Sequence, residues 1–377
     1  MIWDLAVIGL GPAGSTAARV AAEHGLKVLA LDRAVFPRYK PCAAGLTGRA
    51  EAMLPAGALG TIERRIFRAR ITLHDLAPIV IDVDQGLMVT TRRETLDTAL
   101  VAAAGDAGAT LREGCHVRRV VSEGTGIRIE TGHGVDHARF AVAADGANSR
   151  CAALLNPRRR RFLPAWEVEY ELPADAAPEI RSEVRFDIGV IPRGYGWSFP
   201  KRETIAVGVC GRIHSRHALD LAFDAMRSRL PGSAAWRVIT RRGHPVPLYE
   251  PRACLAGRRI VLTGDAGGMI DPFLGEGITY AMRSGFLAVH WVSENLERES
   301  PDYGAYHRII QREIGRELRT ANRLTHVVYR FPAIMYRMAT RKPGVLSALG
   351  RSLATEEGYP GFAKSLRYPY KALFWGV

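Results

Sequence analysis

The stretch Leu5–Asp32, "LAVIGLGPAGSTAARVAAEHGLKVLALD", decides the fold. "LAVIG" is a short continuous apolar run, the pattern of a parallel strand covered on both faces. "AGSTAARVAAEHG" is rich in alanine, carries small residues on its packing side and stops at Gly25, a helix followed by a C-cap. "KVLALD" is a second strand. Between the first strand and the helix stand Gly9, Gly11 and Gly14. The first allows the tight turn, the second lets backbone approach a pyrophosphate, and the third permits close helix–strand packing. The helix N-terminus adds free N–H groups and the positive end of its dipole. Asp32 ends the second strand, where a carboxylate accepts hydrogen bonds from ribose hydroxyls, and Arg33 follows it in the same cofactor-binding set. A strand–helix–strand unit built this way binds a dinucleotide.

Outward from this unit, "RRETLDTALVAAAGDAG" reads as a helix, and "RFAVAADGANS" as an apolar strand ending in a turn. From about Arg161 to Gly257 the character changes to short alternating segments such as "AWEVEYEL", "EVRFDIGVI", "YGWSFPK" and "TIAVGVC", the signature of an antiparallel sheet. "RRIVLTGDAGG" returns to the buried-strand style, a long amphipathic helix follows, and the tail after Pro301 is mostly helical. No internal repeat or low-complexity linker interrupts the chain. The expected fold is α/β, in three parts: a discontinuous Rossmann-type FAD-binding domain over 1–160 and 255–300, an inserted antiparallel-sheet substrate domain over 161–254, and a helical C-terminal region over 301–377. FAD, rather than NAD(P), is expected because of the distant stretch "TGDAGGMIDPFLGEGI". There Gly264 and Asp265 end a strand, and Gly275 and Gly277 open a helix at Ile278, a second element for the ribityl chain and the far end of a long cofactor.

At 377 residues and 47% hydrophobic content the chain can bury a large core. Its 52 basic residues outnumber 38 acidic ones, a net charge of +14 that favours anionic partners. Nucleic acid is not among them: the densest run, Arg158–Arg161, has no interleaved aromatics and reads as a solvated surface. Five scattered cysteines without a CxxC pair fit a reducing compartment. The expected location is therefore the cytoplasm, with the inner membrane face open as a peripheral docking surface. No histidine pair has metal-ligand spacing, so no metal site is expected, and His24, His74, His116 and His244 read as ordinary residues. Asp271 and Glu276 read as caps or cofactor contacts.

"YGWSFPK", Tyr195–Lys201, puts three rings at alternate positions of a strand, so Tyr195, Trp197 and Phe199 share one face. Two readings stand: a buried sheet face, or the lining of an apolar cavity.

These motifs carry a resemblance. The N-terminal glycines, the central Asp145-Gly146 segment and the late Gly264-Asp265 segment together resemble the flavoprotein group typified by para-hydroxybenzoate hydroxylase, over roughly the first 300 residues. The resemblance implies non-covalent FAD, with Asp145 in the cofactor site and Arg93 of "RRETLD" as the arginine that contacts the flavin nucleotide. Within that group "FPRYKPCAAGLT", Phe36–Thr47, and "YGWSFPK" are similar to segments of the geranylgeranyl reductase family. That family implies reduction of carbon–carbon double bonds in a polyprenyl or other lipid-like substrate. Tyr195, Trp197 and Phe199 would line the substrate site, and Cys42, Tyr195 and Trp197 would form the catalytic set; Cys42 also reads as an inert thiol. Where the family has glycines after the cysteine, this chain has Ala43 and Ala44, whose methyl groups would narrow the space beside the flavin. The electron donor would be NAD(P)H, docking transiently, or a reduced carrier such as ferredoxin or flavodoxin. The rival reading is a flavin-dependent monooxygenase or halogenase on the same framework; a non-enzymatic flavin- or lipid-binding module is a third.

Overall fold

The computed structural model describes residues 1–365 apart from 75, 157–159, 214 and 356. Arg158 and Arg159 of the basic run, and the tail 366–377, lie outside the described residues.

The apolar run at the N-terminus forms strand Ile2–Ile8 at the centre of an eight-stranded sheet. It pairs in parallel with Val28–Leu31 on one side and Gly134–Ala143 on the other. Ile260–Leu262 and Thr110–Arg112 extend the parallel part. Both faces are covered, which explains the absence of alternation in the sequence. Leu5 and Val7 enter a core shared with helices Pro12–Glu23 and Ile278–Asn295, whereas Ala6 and Ile8 face a second core containing Cys115, Val120 and Ile127. Its parallel strands end together at Ile8, Leu31, Ala143 and Leu262, the side on which ligands bind in such folds.

A second sheet of seven strands runs in the order Val238–Pro247, Phe162–Glu171, Thr204–Cys210, Tyr195–Pro200, Glu183–Ile188, Arg68–Leu73, Ile79–Asp82. Two of these strands come from residues 68–82, which the sequence reading leaves inside the cofactor-binding part. The sheet is also not wholly antiparallel, because Glu183–Ile188 pairs in parallel with Arg68–Leu73. One face packs on helix Arg216–Ser228 through Trp166, Val168, Val207, Phe223 and Met226. The other looks back toward the first sheet.

The tail is helical, as expected, with described helices from Tyr303–Ile310 to Gly358–Ser365. It is tied to both halves: Tyr336 donates to the carbonyls of Ile71 and Ala77, and Tyr359 to Asp271. No described helix is long and apolar enough to cross a membrane.

Candidate active site

Between the two sheets lies a cavity of about 1160 Å³. Single small-molecule sites occupy roughly 300–1,000 Å³, so this one has room for a large cofactor and a second molecule. One end is built by the glycine motif. Gly9 has φ +94°, where a Cβ would collide with Ala144 O, and a Cβ at Gly14 would collide with Gly9 O. A Cβ at Gly11 would meet only Arg38 Nη2, at 3.7 Å, because that position opens into the cavity. Gly11 also caps helix Pro12–Glu23 without a side chain on the free N–H groups. Gly9, Gly11, Asp32 and Arg33 line the cavity; Gly14 stands behind its wall. Asp32 accepts from Leu10 N at 2.7 Å and Ala34 N at 2.8 Å, leaving one lone pair on each oxygen for a ligand hydroxyl.

The distant segment closes the same cavity. Gly264, at φ +51°, turns the chain behind the wall so that Asp265 lines it. Burial raises the Asp265 pKa, but Lys40 at 3.3 Å and His244 at 3.9 Å outweigh burial and hold it below the usual carboxylate range. Gly275, Gly277 and Ile278 line the cavity where helix Ile278–Asn295 begins, again without a side-chain cap. Asp145 lines it too: Oδ2 accepts from Arg150 N at 2.9 Å, whereas the buried Oδ1 has no partner. An orphaned acceptor, two uncapped helix ends and an open glycine cradle on one cavity are a donor and acceptor set that fits FAD. Arg93 is buried in the wall, and Asp97 takes its Nε at 2.8 Å and Nη2 at 2.6 Å.

The other end is the aromatic face. Tyr195, Trp197 and Phe199 share one side of their strand and form one cluster with Phe186, Ala43 and Met88. All three line the cavity, and Trp197 and Phe199 are only 7% exposed, so the face is at once core and wall. The Phe199 ring reaches Gly45, where a Cβ would lie 2.6 Å from Cε2. Tyr195 donates its hydroxyl to Leu274 O beside Gly275, joining the sheet to the distant segment. Cys42, half-buried above the sheet, lines the cavity with Ala43 and Ala44. Ala44 holds a left-handed φ of 53°, the conformation that glycine adopts without strain.

Residues 3–168 match the family model described as the FAD binding domain. Digeranylgeranylglycerophospholipid reductase 1 of Methanopyrus kandleri is 32% identical, the match covering 79% of this chain and 82% of that protein. The geranylgeranyl diphosphate reductase of Rhodobacter capsulatus is 30% identical, over 80% of this chain and 78% of that one. The chain belongs to the geranylgeranyl reductase family. It is an FAD-dependent oxidoreductase. A geranylgeranyl bacteriochlorophyll reductase-like protein from Thermoplasma acidophilum superimposes with TM-score 0.80 at 24% identity, covering 99% of this chain and 97% of that one, a likeness of fold.

The geranylgeranyl reductase fold also gathers residues that the sequence reading passed over. Arg160 is no solvated charge: it donates to Asp265 O at 2.6 Å and Ala147 O at 3.1 Å, binding two cofactor-site loops together. His116 and His244, read as ordinary, line the cavity. Below Cys42 lies a buried polar group. Glu167 Oε1 accepts from Cys42 N at 2.8 Å and Tyr39 Oη at 3.4 Å, and Lys201 places its Nζ 2.8 Å from both oxygens of Glu169. Burial pushes the Glu167 carboxyl up to about 7, against the pull of Lys201 and with Glu169 adding to the rise. The signal was in "EVEYE", whose alternation separates an acidic face from an apolar one; it does not say that another element covers the acids.

Proposed function

We propose that this flavoprotein saturates carbon–carbon double bonds in a polyprenyl or related lipid-like chain, with electrons from NAD(P)H or a reduced carrier protein. The observation that carries this reading is an apolar aromatic wall and a dinucleotide cradle on one cavity. Its relatives are named for geranylgeranyl substrates.

Bound FAD, once reduced, supplies a hydride. The backbone at Gly11 and the N-terminus of helix Pro12–Glu23 would hold the pyrophosphate, with Asp32 on the ribose. Asp265 and the start of helix Ile278–Asn295 would hold the opposite part of the cofactor. Trp197 and Phe199 would press the alkene into one orientation and keep water out, which suppresses loss of the hydride to side reactions. The Tyr195 hydroxyl, engaged with Leu274, sets the distance between the aromatic wall and the cofactor end. The net charge of +14 suits an anionic substrate head, NADPH or an acidic carrier. The exposed side chains Phe331 and Ile334, beside exposed Arg337 and Arg341, suit peripheral contact with an anionic lipid surface.

The test is anaerobic. The FAD-loaded protein is photoreduced and mixed with geranylgeranyl diphosphate or a geranylgeranylated glycerophospholipid. Return of the oxidised flavin spectrum together with a hydrogenated product supports the reading. Reoxidation only by oxygen, with hydroxylated or halogenated product from an aromatic substrate, overturns it.

A further inference from the structure

Trp197 and Glu167 sit in one row across the second sheet. Trp197 pairs with Gly208, and Gly208 pairs with Glu167 on the next strand. All three side-chain positions therefore face the cavity, and about 10 Å of sheet separates the outer two. Gly208 leaves that gap open, and the Trp197 indole lies across it: a Cβ at Gly208 would collide with Cζ2. Two buried polar atoms on this row have no protein partner, Trp197 Nε1 and Glu167 Oε2. Glu167 is 3% exposed and lines the cavity. A carboxyl with one oxygen engaged and the other unpartnered at a cavity wall is placed to act on what the cavity holds.

We propose that Glu167 is the acid that gives the substrate its proton. The proposal rests on the reductase reading above. As one alkene carbon takes the hydride, the π pair forms a bond from the other carbon to the Glu167 proton. The alkene gains two electrons, the flavin loses them, and Glu167 is left as a carboxylate. Water restores the proton from the opposite side. A small polar pocket of about 210 Å³, lined by Tyr39, Cys42, Glu169, Lys201 and Thr204, lies behind the loop that covers Glu167. Tyr39, which donates to Glu167, belongs to the walls of both spaces, as do Lys40, Cys42, Arg93 and Arg242.

The charges around Glu167 suit this cycle. Lys201 and Glu169 neutralise one another on the sheet, Arg242 faces it from the adjoining strand, and Tyr39, Lys40 and Cys42 cover it, with Arg93 behind Cys42. Burial keeps the carboxyl protonated up to about pH 7, whereas the new carboxylate has Lys201 nearby to stabilise it. An acid whose pKa lies near the working pH is the efficient kind.

Glu167→Gln keeps the acceptor for Cys42 N and removes the proton; Glu167→Asp keeps an acid on a shorter arm. Two readouts are taken on the FAD-loaded proteins. The first is the infrared carbonyl band of a protonated buried carboxyl, without substrate. It is read in the wild-type minus Glu167→Gln difference spectrum, in which the band of Asp271, the other raised carboxyl, cancels; the difference band is expected at acid pH and to vanish as pH rises through about 7. The second is anaerobic reoxidation of photoreduced flavin by geranylgeranyl diphosphate. Glu167→Gln is expected to be slower by about 10²-fold or more and to lose the pH dependence, with Glu167→Asp between. Flavin content should be equal in all three. A Gln variant that reacts as fast as wild type with the same pH profile, or a difference spectrum lacking the carbonyl band, overturns the proposal. A wild type that shows the band but whose reduced flavin is not reoxidised by the diphosphate or by a geranylgeranylated glycerophospholipid overturns the reductase reading, and proton delivery to an alkene with it.

Discussion

Gly11 and Gly14 differ by three positions and lie on opposite sides of a wall. A side chain at Gly11 would enter the cavity, since only Arg38 Nη2 comes within 4 Å of its Cβ, at 3.7 Å. Gly11→Val should therefore leave the apoprotein's melting temperature within a few degrees and abolish FAD binding, measured by flavin absorbance after loading. Gly14→Ala does the reverse. Its methyl would collide with Gly9 O, so the turn or the helix must move, at roughly 1–3 kcal/mol. A lowered melt of the apoprotein is the expected result, with FAD loss following from it. Equal behaviour of the two variants would contradict the geometry. The roles of these glycines were legible because a glycine turn between a strand and a helix is a local pattern, and the contact that excludes a side chain at Gly14, Gly9 O, lies five residues away. Glu167 was not legible as a site: nothing local to it reveals Cys42 and Tyr39, more than a hundred positions away, as its partners.

Strand Tyr195–Pro200 shows how an element can be both structure and site. Trp197→Ala removes a buried indole and should cost about 3–5 kcal/mol through transfer and cavity terms, even though the ring lines the cavity. A melt alone thus does not separate wall from core, because the element is both. Tyr195→Phe is the sharper variant. It keeps the ring and deletes the hydroxyl that reaches Leu274 O, for a stability cost of about 1 kcal/mol. The expected outcome is intact FAD content with slowed substrate-driven reoxidation; unchanged kinetics would make that hydroxyl purely structural. The alternation that placed the three rings on one face was plain in the sequence, as was the continuous run of Ile2–Ile8. The membership of Arg68–Leu73 in the same sheet was not. Its partner Glu183–Ile188 is more than a hundred residues away and parallel to it, and no turn between them announces the pairing. In the same way, Glu167 and Glu169 alternate as a solvent-facing row would, yet their strand is paired on both sides and loop 39–42 covers Glu167.

Across the whole molecule, two buried carboxyls couple the site to stability. Besides Glu167, Asp271 is 1% exposed in the cofactor-site loop and receives the hydroxyl of Tyr359 from the last described helix. Burial pushes the Asp271 carboxyl up to about 7, opposed by hydrogen bonds from Tyr359 and Phe273 N and aided by Glu276. Both groups are therefore protonated in the fold at pH values where the unfolded chain, with ordinary carboxyl values near 4, has already lost its protons. The native state binds more protons than the unfolded state in that window, so stability falls as pH rises from about 4 to about 7 and then levels off. Each group contributes a slope of about 1.4 kcal/mol per pH unit within the window. Asp265, held low, acts with the opposite sign only at more acid pH. The measurement is the urea midpoint of the FAD-loaded protein across this range, with Asp271→Asn and Glu167→Gln as controls. Asparagine still accepts from Phe273 N on its one oxygen, and its Nδ2 can donate to the Tyr359 hydroxyl oxygen, so the fold is retained while the titration is removed. Each variant should flatten the decline by one group's share and become more stable relative to wild type as pH approaches neutrality. Taking the difference from wild type cancels every other titrating residue. A wild-type slope unchanged by Asp271→Asn would mean that this carboxyl is ionised in the fold, compensated by Tyr359 and the N–H of Phe273.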